Sequence, residues 1–266
     1  MIWLIGYLGV GVFAGLAAGL LGVGGGIINV PALAWLFNLQ SYPADLTFHL
    51  GLGTSLAIIV ITGSSAATTH YRQGNVNASF GVKIAIAGVL GSVVGAYGAS
   101  LLTSQILKPA FGVLLIFAGV QMLYSRNLAQ SGQAREDWPT ALTVGIVAGV
   151  VSGFFGVGGG VAAVPLMLWV ARFEPKRAVG TSAMMVVFFG LFGGATYVVT
   201  GWEKTRELAW TFGYVHALAL IFVALSSIFT ARWGARLADR MNPLWLKRVF
   251  AVMLCLVGLR FISTLW

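Results

Sequence analysis

Two glycine runs carry the chemistry this sequence can offer. Gly22-Val23-Gly24-Gly25-Gly26 returns as Gly156-Val157-Gly158-Gly159-Gly160, and Gly15, Gly19 and Pro31 return as Gly149, Gly153 and Pro165, all at an offset of 134 residues. Glycine adopts backbone angles that other residues avoid, and successive free N–H groups in such a run form a concave nest for an anion. A helix starting at Ile27 or Val161 would aim the positive end of its dipole at that nest. Gly24, Gly25, Gly26, Gly158, Gly159 and Gly160 are therefore candidate ligand contacts. Close helix packing in lipid is the other use of such a run. Recurrence in corresponding positions of two halves favours a site, as in transporters built from repeats.

Polar side chains near the runs extend the same chemistry. Asn29 lies just inside the first short helix, where its amide can donate to a ligand or bond the helix backbone; its repeat counterpart is Ala163. Thr54 and Ser55 recur as Thr181 and Ser182 near the start of later apolar segments, and their hydroxyls can donate to the same anion or to carbonyls one turn back. His70, within His70-Tyr71-Arg72-Gln73-Gly74, can relay a proton coupled to anion movement, and a cluster of this kind also anchors a helix at the interface. His49 and His216 read as packing histidines.

Other chemistries lack their residues. No Gly-x-Ser-x-Gly elbow, His-Glu-x-x-His pair, Cys-x-x-Cys unit or P-loop occurs, and the seven carboxylates fall in connections or at segment ends, so no enzyme activity and no cofactor are expected. The single cysteine, Cys255, excludes an intramolecular disulfide and a cysteine metal cluster; no metal site is expected.

The elements that must hold these residues are apolar helices. Of 266 residues 58% are hydrophobic and 9% charged, and none is charged from Met1 to Ala44, whereas soluble domains carry about 25% charge. The chain reads as an all-α polytopic membrane protein. The net charge of +9 sits mostly in short connections, where it reports orientation rather than a nucleic-acid partner. Apolar stretches cover 2–22, 27–39, 46–69, 79–102, 106–124, 138–155, 161–171, 178–200, 208–231 and 244–265. Those at 27–39 and 161–171 are too short to cross a bilayer, which needs about 20 residues. Both follow a glycine run, as a re-entrant or discontinuous helix would.

The duplication sets the domain plan. Gly53-Thr54-Ser55 matches Gly180-Thr181-Ser182 at an offset of 127, which holds through Gly74 and Gly201, so an insertion lies between Phe37 and Phe48. Residues 1–125 form a first repeat, 126–137 a cytoplasmic linker and 138–266 a second repeat. Eight simple spans would divide the sixteen basic residues seven to nine. If each glycine unit instead returns to its own side, or crosses twice, twelve share one face and only Lys108, Lys204, Arg206 and Arg260 oppose them. That positive-inside bias favours two inverted repeats, each a Gly-rich broken or re-entrant unit plus three spanning helices.

The paired Gly-Val-Gly-Gly-Gly elements, each with a proline five residues after its last glycine, the Gly-Thr-Ser pairs and the stretch His70-Tyr71-Arg72-Gln73-Gly74-Asn75-Val76 resemble the TauE/SafE sulfite exporter family over almost the whole chain. The resemblance implies a multi-pass protein of the bacterial cytoplasmic membrane that moves small sulfur-containing anions such as sulfite, sulfonates, sulfoacetate or thiosulfate. The matched positions are Gly24, Gly25, Gly26, Pro31, Thr54 and Ser55 with Gly158, Gly159, Gly160, Pro165, Thr181 and Ser182. A secondary carrier is the expected mechanism, with a passive anion channel using the same central site as the alternative. The expected partners are the anion and the lipid bilayer, without nucleic acid; a homodimer is left open.

Overall fold

The computed structural model describes residues 2–21, 24–124, 134–238 and 243–263. Gly22 and Val23, most of the expected linker (125–133, with Arg126 and Gly132), and Asp239 and Arg240 lie outside the described residues. The described chain forms helices α1 (Ile2–Leu21), α2 (Gly26–Leu39), α3 (Thr47–Arg72), α4 (Ala78–Ser100), α5 (Ser104–Tyr124), α6 (Trp138–Phe155), α7 (Gly160–Trp169), α8 (Pro175–Gly201), α9 (Ala217–Ala238) and α10 (Pro243–Ser263). A two-stranded hairpin, β1 (Thr211–Phe212) and β2 (Val215–His216), precedes α9. Seven of the helices are long and apolar enough to cross a membrane; Gly26–Leu39, Gly160–Trp169 and the Ala251–Ser263 part of α10 are shorter apolar helices.

Local chemistry sets the helix ends. The Asn77 side chain accepts from Phe80 N to start α4, and the Asp137 carboxylate accepts from Thr140 N to start α6, with Pro139 inside its first turn. These hydrogen bonds hold the exposed Asp137 carboxyl below its usual range. The apolar stretch expected at 208–231 is divided. Trp210 and Gly213 adopt left-handed φ values of 63° and 55°, which forces the hairpin, and α9 begins only at Ala217. Thr54 and Thr181 lie about two turns inside α3 and α8 rather than at their starts.

Small residues let the helices approach closely, as expected where lipid supplies no hydrophobic drive. Gly11, Gly15 and Gly19 of α1 lie against Val223, Ser227 and Ala231 of α9, so these helices run parallel. In the same way Gly88, Gly91 and Gly95 of α4 lie against Gly145, Ile146 and Val150 of α6. The corresponding helices of the two halves meet each other antiparallel. Gly53 of α3 faces Tyr197 of α8, Gly63 faces Ala183, and Gly190 faces Leu56; on α5 and α10, Gly112 meets Gly258 and Gly119 meets Ala251. The packing is thus unchanged when the halves are exchanged.

Two faces follow. The end of α3 and the start of α4 are joined by a short turn, Asn77 Nδ2 donates to Glu136 Oε1, and Arg135 N donates to Ala171 O. These bonds gather Arg72, Lys83, Arg135, Arg172, Lys176 and Arg177 on one basic face. On the opposite face Tyr42 Oη donates to Ala209 O, and Ser104 Oγ donates to Asp45 O.

Candidate functional site

The glycine runs place the site. Gly24 and Gly25 have φ values of 73° and 79°, and Gly158 and Gly159 have 75° and 73°, so both breaks make the same left-handed turn. Gly25 and Gly159 are the N-caps of α2 and α7. Ile28 N and Asn29 N donate to Gly25 O, and Ala162 N and Ala163 N donate to Gly159 O. The earlier first-turn N–H groups, at Gly26, Ile27, Gly160 and Val161, are those a helix cannot satisfy internally.

Both breaks lie at mid-depth and touch. A β-carbon on Gly24 would lie 3.0 Å from Ile59, near the middle of α3, and one on Gly159 would lie 2.9 Å from Phe189, near the middle of α8. One on Gly26 would lie 2.5 Å from Val157 Cα and 2.6 Å from Gly156 O. From this contact α2 runs towards Tyr42 and α7 towards Ala171, on opposite faces, so the two positive helix ends meet head to head. Ile27, Leu52, Leu56, Ile59, Val157, Val161 and Val186 close an apolar jacket around them.

The polar candidates divide by what they bond. Asn29 is fully buried, and among the described residues neither its amide nitrogen nor its amide oxygen has a hydrogen-bond partner. Ser55 Oγ donates to Gly156 O at 2.6 Å and ties α3 to the second break; Thr62 Oγ1 donates to Gly24 O at 3.2 Å and ties it to the first. Thr54 and Thr181 act as a matched pair of acceptors: His216 N donates to Thr54 Oγ1 at 2.9 Å, and Asn77 N to Thr181 Oγ1 at 3.0 Å. Ser182 is buried beside Thr181. His70 is buried near the end of α3, with Nε2 3.2 Å from Gly19 O. That is about 12 Å along the helix beyond Thr62, which marks the level of the first break. His70 therefore lies away from the breaks, and Thr54 and Thr181, bonded to the starts of α9 and α4, lie off towards opposite faces, so the structure brings together only the glycine runs, Asn29 and Ser55.

His216, a packing histidine on the sequence reading, is buried with both ring nitrogens in hydrogen-bond contact. Its Nδ1 accepts from Ala219 N at 3.1 Å, and its Nε2 lies 2.9 Å from Tyr42 Oη. Rings of Tyr7 and Phe37 close around it, and burial pushes its pKa down to about 4. Burial likewise raises the Tyr42 hydroxyl above its ordinary range. Tyr42 also lines a groove of about 490 Å³ with Trp3, Gln40, Pro43 and Glu207, open on the face opposite the basic one. A lone histidine within an apolar stretch carries no signal of these partners; the left-handed turns at Trp210 and Gly213 place it before α9.

Ten helices around two touching, mid-depth helix breaks define an all-α multi-pass membrane protein of the repeat-built kind. Residues 7–261 match the family described as sulfite exporter TauE/SafE, and the chain belongs to that family. It is 30% identical over 250 residues to a probable membrane transporter protein of Haemophilus influenzae, covering 94% of each chain. It is 28% identical over 270 residues to the probable membrane transporter protein YunE of Bacillus subtilis, covering 95% of this chain and 94% of that one. A probable membrane transporter protein of Methanocaldococcus jannaschii is 26% identical over 251 residues, with 94% and 92% covered. The protein is a membrane transporter, not an enzyme.

Proposed function

We propose that this transporter is a secondary carrier of small sulfur-containing oxyanions (sulfite, thiosulfate or a short sulfonate such as sulfoacetate), bound where the two helix breaks meet. The observation that carries the reading is the head-to-head meeting of α2 and α7 beside an Asn29 amide with no partner. Each helix end stabilises an anion by about 0.3–1 kcal/mol, and up to about 2 kcal/mol when partly buried. Asn29 and the unsatisfied first-turn N–H groups of α2 and α7 would give three sulfonate oxygens several donors, whereas Ser55 Oγ already donates to Gly156 O and Thr54 and Thr181 serve the starts of α9 and α4 on opposite faces. No lysine or arginine need be fixed in the centre, so the anion can also leave.

The antiparallel meeting of α3 with α8 and of α5 with α10 supports two inverted repeats, because equivalent helices of an inverted pair point in opposite directions. Their basic face would then be cytoplasmic. Direct contact of Gly26 with Val157 supports a carrier over a channel, since the centre is shut by backbone. Thermal stabilisation of the purified protein by sulfite, sulfate, thiosulfate and sulfoacetate tests the substrate class. A rise in melting temperature with the sulfur oxyanions, absent with an uncharged analogue, is expected; no shift with any of them would remove this reading. Trans-stimulated counterflow in proteoliposomes then distinguishes a carrier from a passive pore, which gives none.

A further inference from the structure

The carrier reading leaves unused a second buried, titratable group, and its surroundings repeat with one chemical change. Asn77 and His216 each stand just before a helix of their own repeat, α4 and α9, and each donates its backbone N–H to the matched threonine of the other repeat, Thr181 and Thr54. Each then caps that helix through its side chain, Asn77 Oδ1 accepting from Phe80 N and His216 Nδ1 from Ala219 N. Each also uses its remaining side-chain nitrogen to reach across the fold, Asn77 Nδ2 to Glu136 and His216 Nε2 to Tyr42. One latch lies on the basic face and turns on an asparagine. Its counterpart on the opposite face is an imidazole bonded to Tyr42, which lines the open groove.

We propose that His216, locked to Tyr42, is a proton-operated gate between the groove and the paired helix breaks, so that a proton taken up from the groove side opens the way for the anion. The inference rests on the carrier reading for what passes, but not for how the gate moves. Ala219 N donates to Nδ1, so the ring proton sits on Nε2 and is donated to Tyr42 Oη, whose own hydroxyl donates to Ala209 O. A proton arriving at Nδ1 removes the acceptor for Ala219 N. It also places a positive charge on the amino end of α9, where the helix dipole opposes it. The imidazolium is thereby expelled towards the groove, where it becomes a cation on the anion's path.

The groups around the ring do not offset that charge. Tyr7 faces it from α1, Phe37 from α2, Tyr42 from the connecting loop and Thr54 from α3. On its own segment Tyr214 lies two residues away and interacts with Lys204 and Asp45, while His49 stacks on Tyr214 and Glu207 lies in the groove wall. Among the described residues the hydrogen-bond partners of the ring are Tyr42 and Ala219, and neither is a carboxylate. Burial holds the shut ring neutral down to about pH 4, whereas a released imidazole titrates near its ordinary value of about 6.5. The shut form is therefore at full strength above about pH 6.5 and loses up to about tenfold per pH unit as the pH falls from there towards 4.

Hydrogen exchange on the purified full chain, without any anion, tests the gate. After correction for intrinsic rates, protection of the amides at 214–220 in the wild type is expected to fall at least about tenfold between about pH 7.5 and pH 5, while the Asn77–Phe80 start of α4 stays unchanged. His216→Asn installs the residue that already serves on the basic face and should abolish the pH step. Tyr42→Phe should lower protection at both pH values. A wild-type segment with equal protection at both pH values, an equal fall at Asn77–Phe80, or a step kept in His216→Asn would overturn the proposal. The wild-type arm decides alone should the asparagine variant not fold. Failure of the carrier reading is seen separately, as no thermal shift with sulfoacetate at about pH 7.5, where the ordinary imidazole is neutral.

Discussion

Replacing Asn29 by leucine separates a ligand contact from a structural polar residue, because the two predict opposite signs. Both polar atoms of the Asn29 amide are buried without a partner. A buried, unsatisfied polar group costs about 1–3 kcal/mol, and an apolar group of the same shape removes that cost. Leucine keeps the branched four-atom skeleton of asparagine with bulkier ends, and its neighbours Ile27 and Val30 belong to the apolar jacket. Asn29→Leu is therefore expected to stabilise the anion-free protein by about 1–3 kcal/mol, a rise of several degrees in melting temperature. A hydrogen bond to a charged ligand contributes about 1.5–3 kcal/mol, so anion affinity should fall about 10- to 100-fold. The assay is a melting curve of purified protein with and without sulfoacetate, followed by titration of the midpoint shift. A variant that melts lower than wild type yet keeps its full anion shift would refute the reasoning, since Asn29 would then be bonded to the protein and not to the ligand.

Other predictions follow from the same geometry. Gly25→Ala and Gly159→Ala place a β-carbon 2.6 Å from Ala14 O and Ala148 O at left-handed φ, whereas Gly74→Ala meets open space at a φ of 74°. Denaturant melts should show about 1 kcal/mol lost at Gly74 and clearly more at either N-cap; equal losses would mean that the breaks are not close-packed. Side chains at Gly25 and Gly159 thus perturb packing as well as any nest, so Asn29 is the cleaner test of the anion site. On a Cys255→Ala background, single cysteines at Ala134 and Glu174 should be labelled from one side of the membrane and one at Ser41 from the other; shared labelling of all three would reject the two faces described. Thr54→Val and Thr181→Val should each lose about 0.5–1.5 kcal/mol, with exchange rising at the start of α9 in the first and of α4 in the second. Exchange that rises at the same helix in both would break the correspondence of the two latches.

What the sequence revealed was what the duplication repeats as residue type. Gly24 and Gly25 share left-handed φ values with Gly158 and Gly159 because only glycine takes them freely in both copies, so the pattern of letters carries the pattern of angles. Thr54 and Thr181 were recognisable as a pair for the same reason, but not their task, because the donors that bond them come from segments far off in sequence and unlike each other: one presents histidine and the other asparagine. The Leu208–His216 approach to α9 was illegible for a different reason. Apolar content marks a stretch as lipid-compatible whether it is helical or folded into a hairpin, and the left-handed turns at Trp210 and Gly213 leave no periodic trace.

The departures from repetition are the informative positions. An exact duplication would yield two equal half-sites and two latches with the same response to pH. Asn29 opposite Ala163 puts a polar amide in one half of the centre only, and His216 opposite Asn77 makes one latch titratable and leaves the other fixed. On our reading, a carrier opens to one face and then to the other, and a group that titrates at one end only makes that end's opening respond to the pH on its own side. In this chain the backbone supplies the symmetry and these two side-chain exchanges supply the difference, so exchanging His216 and Asn77 between the latches should move the pH sensitivity of amide exchange from the start of α9 to the start of α4. If the sensitivity stayed at α9, the response would belong to the hairpin and not to the imidazole.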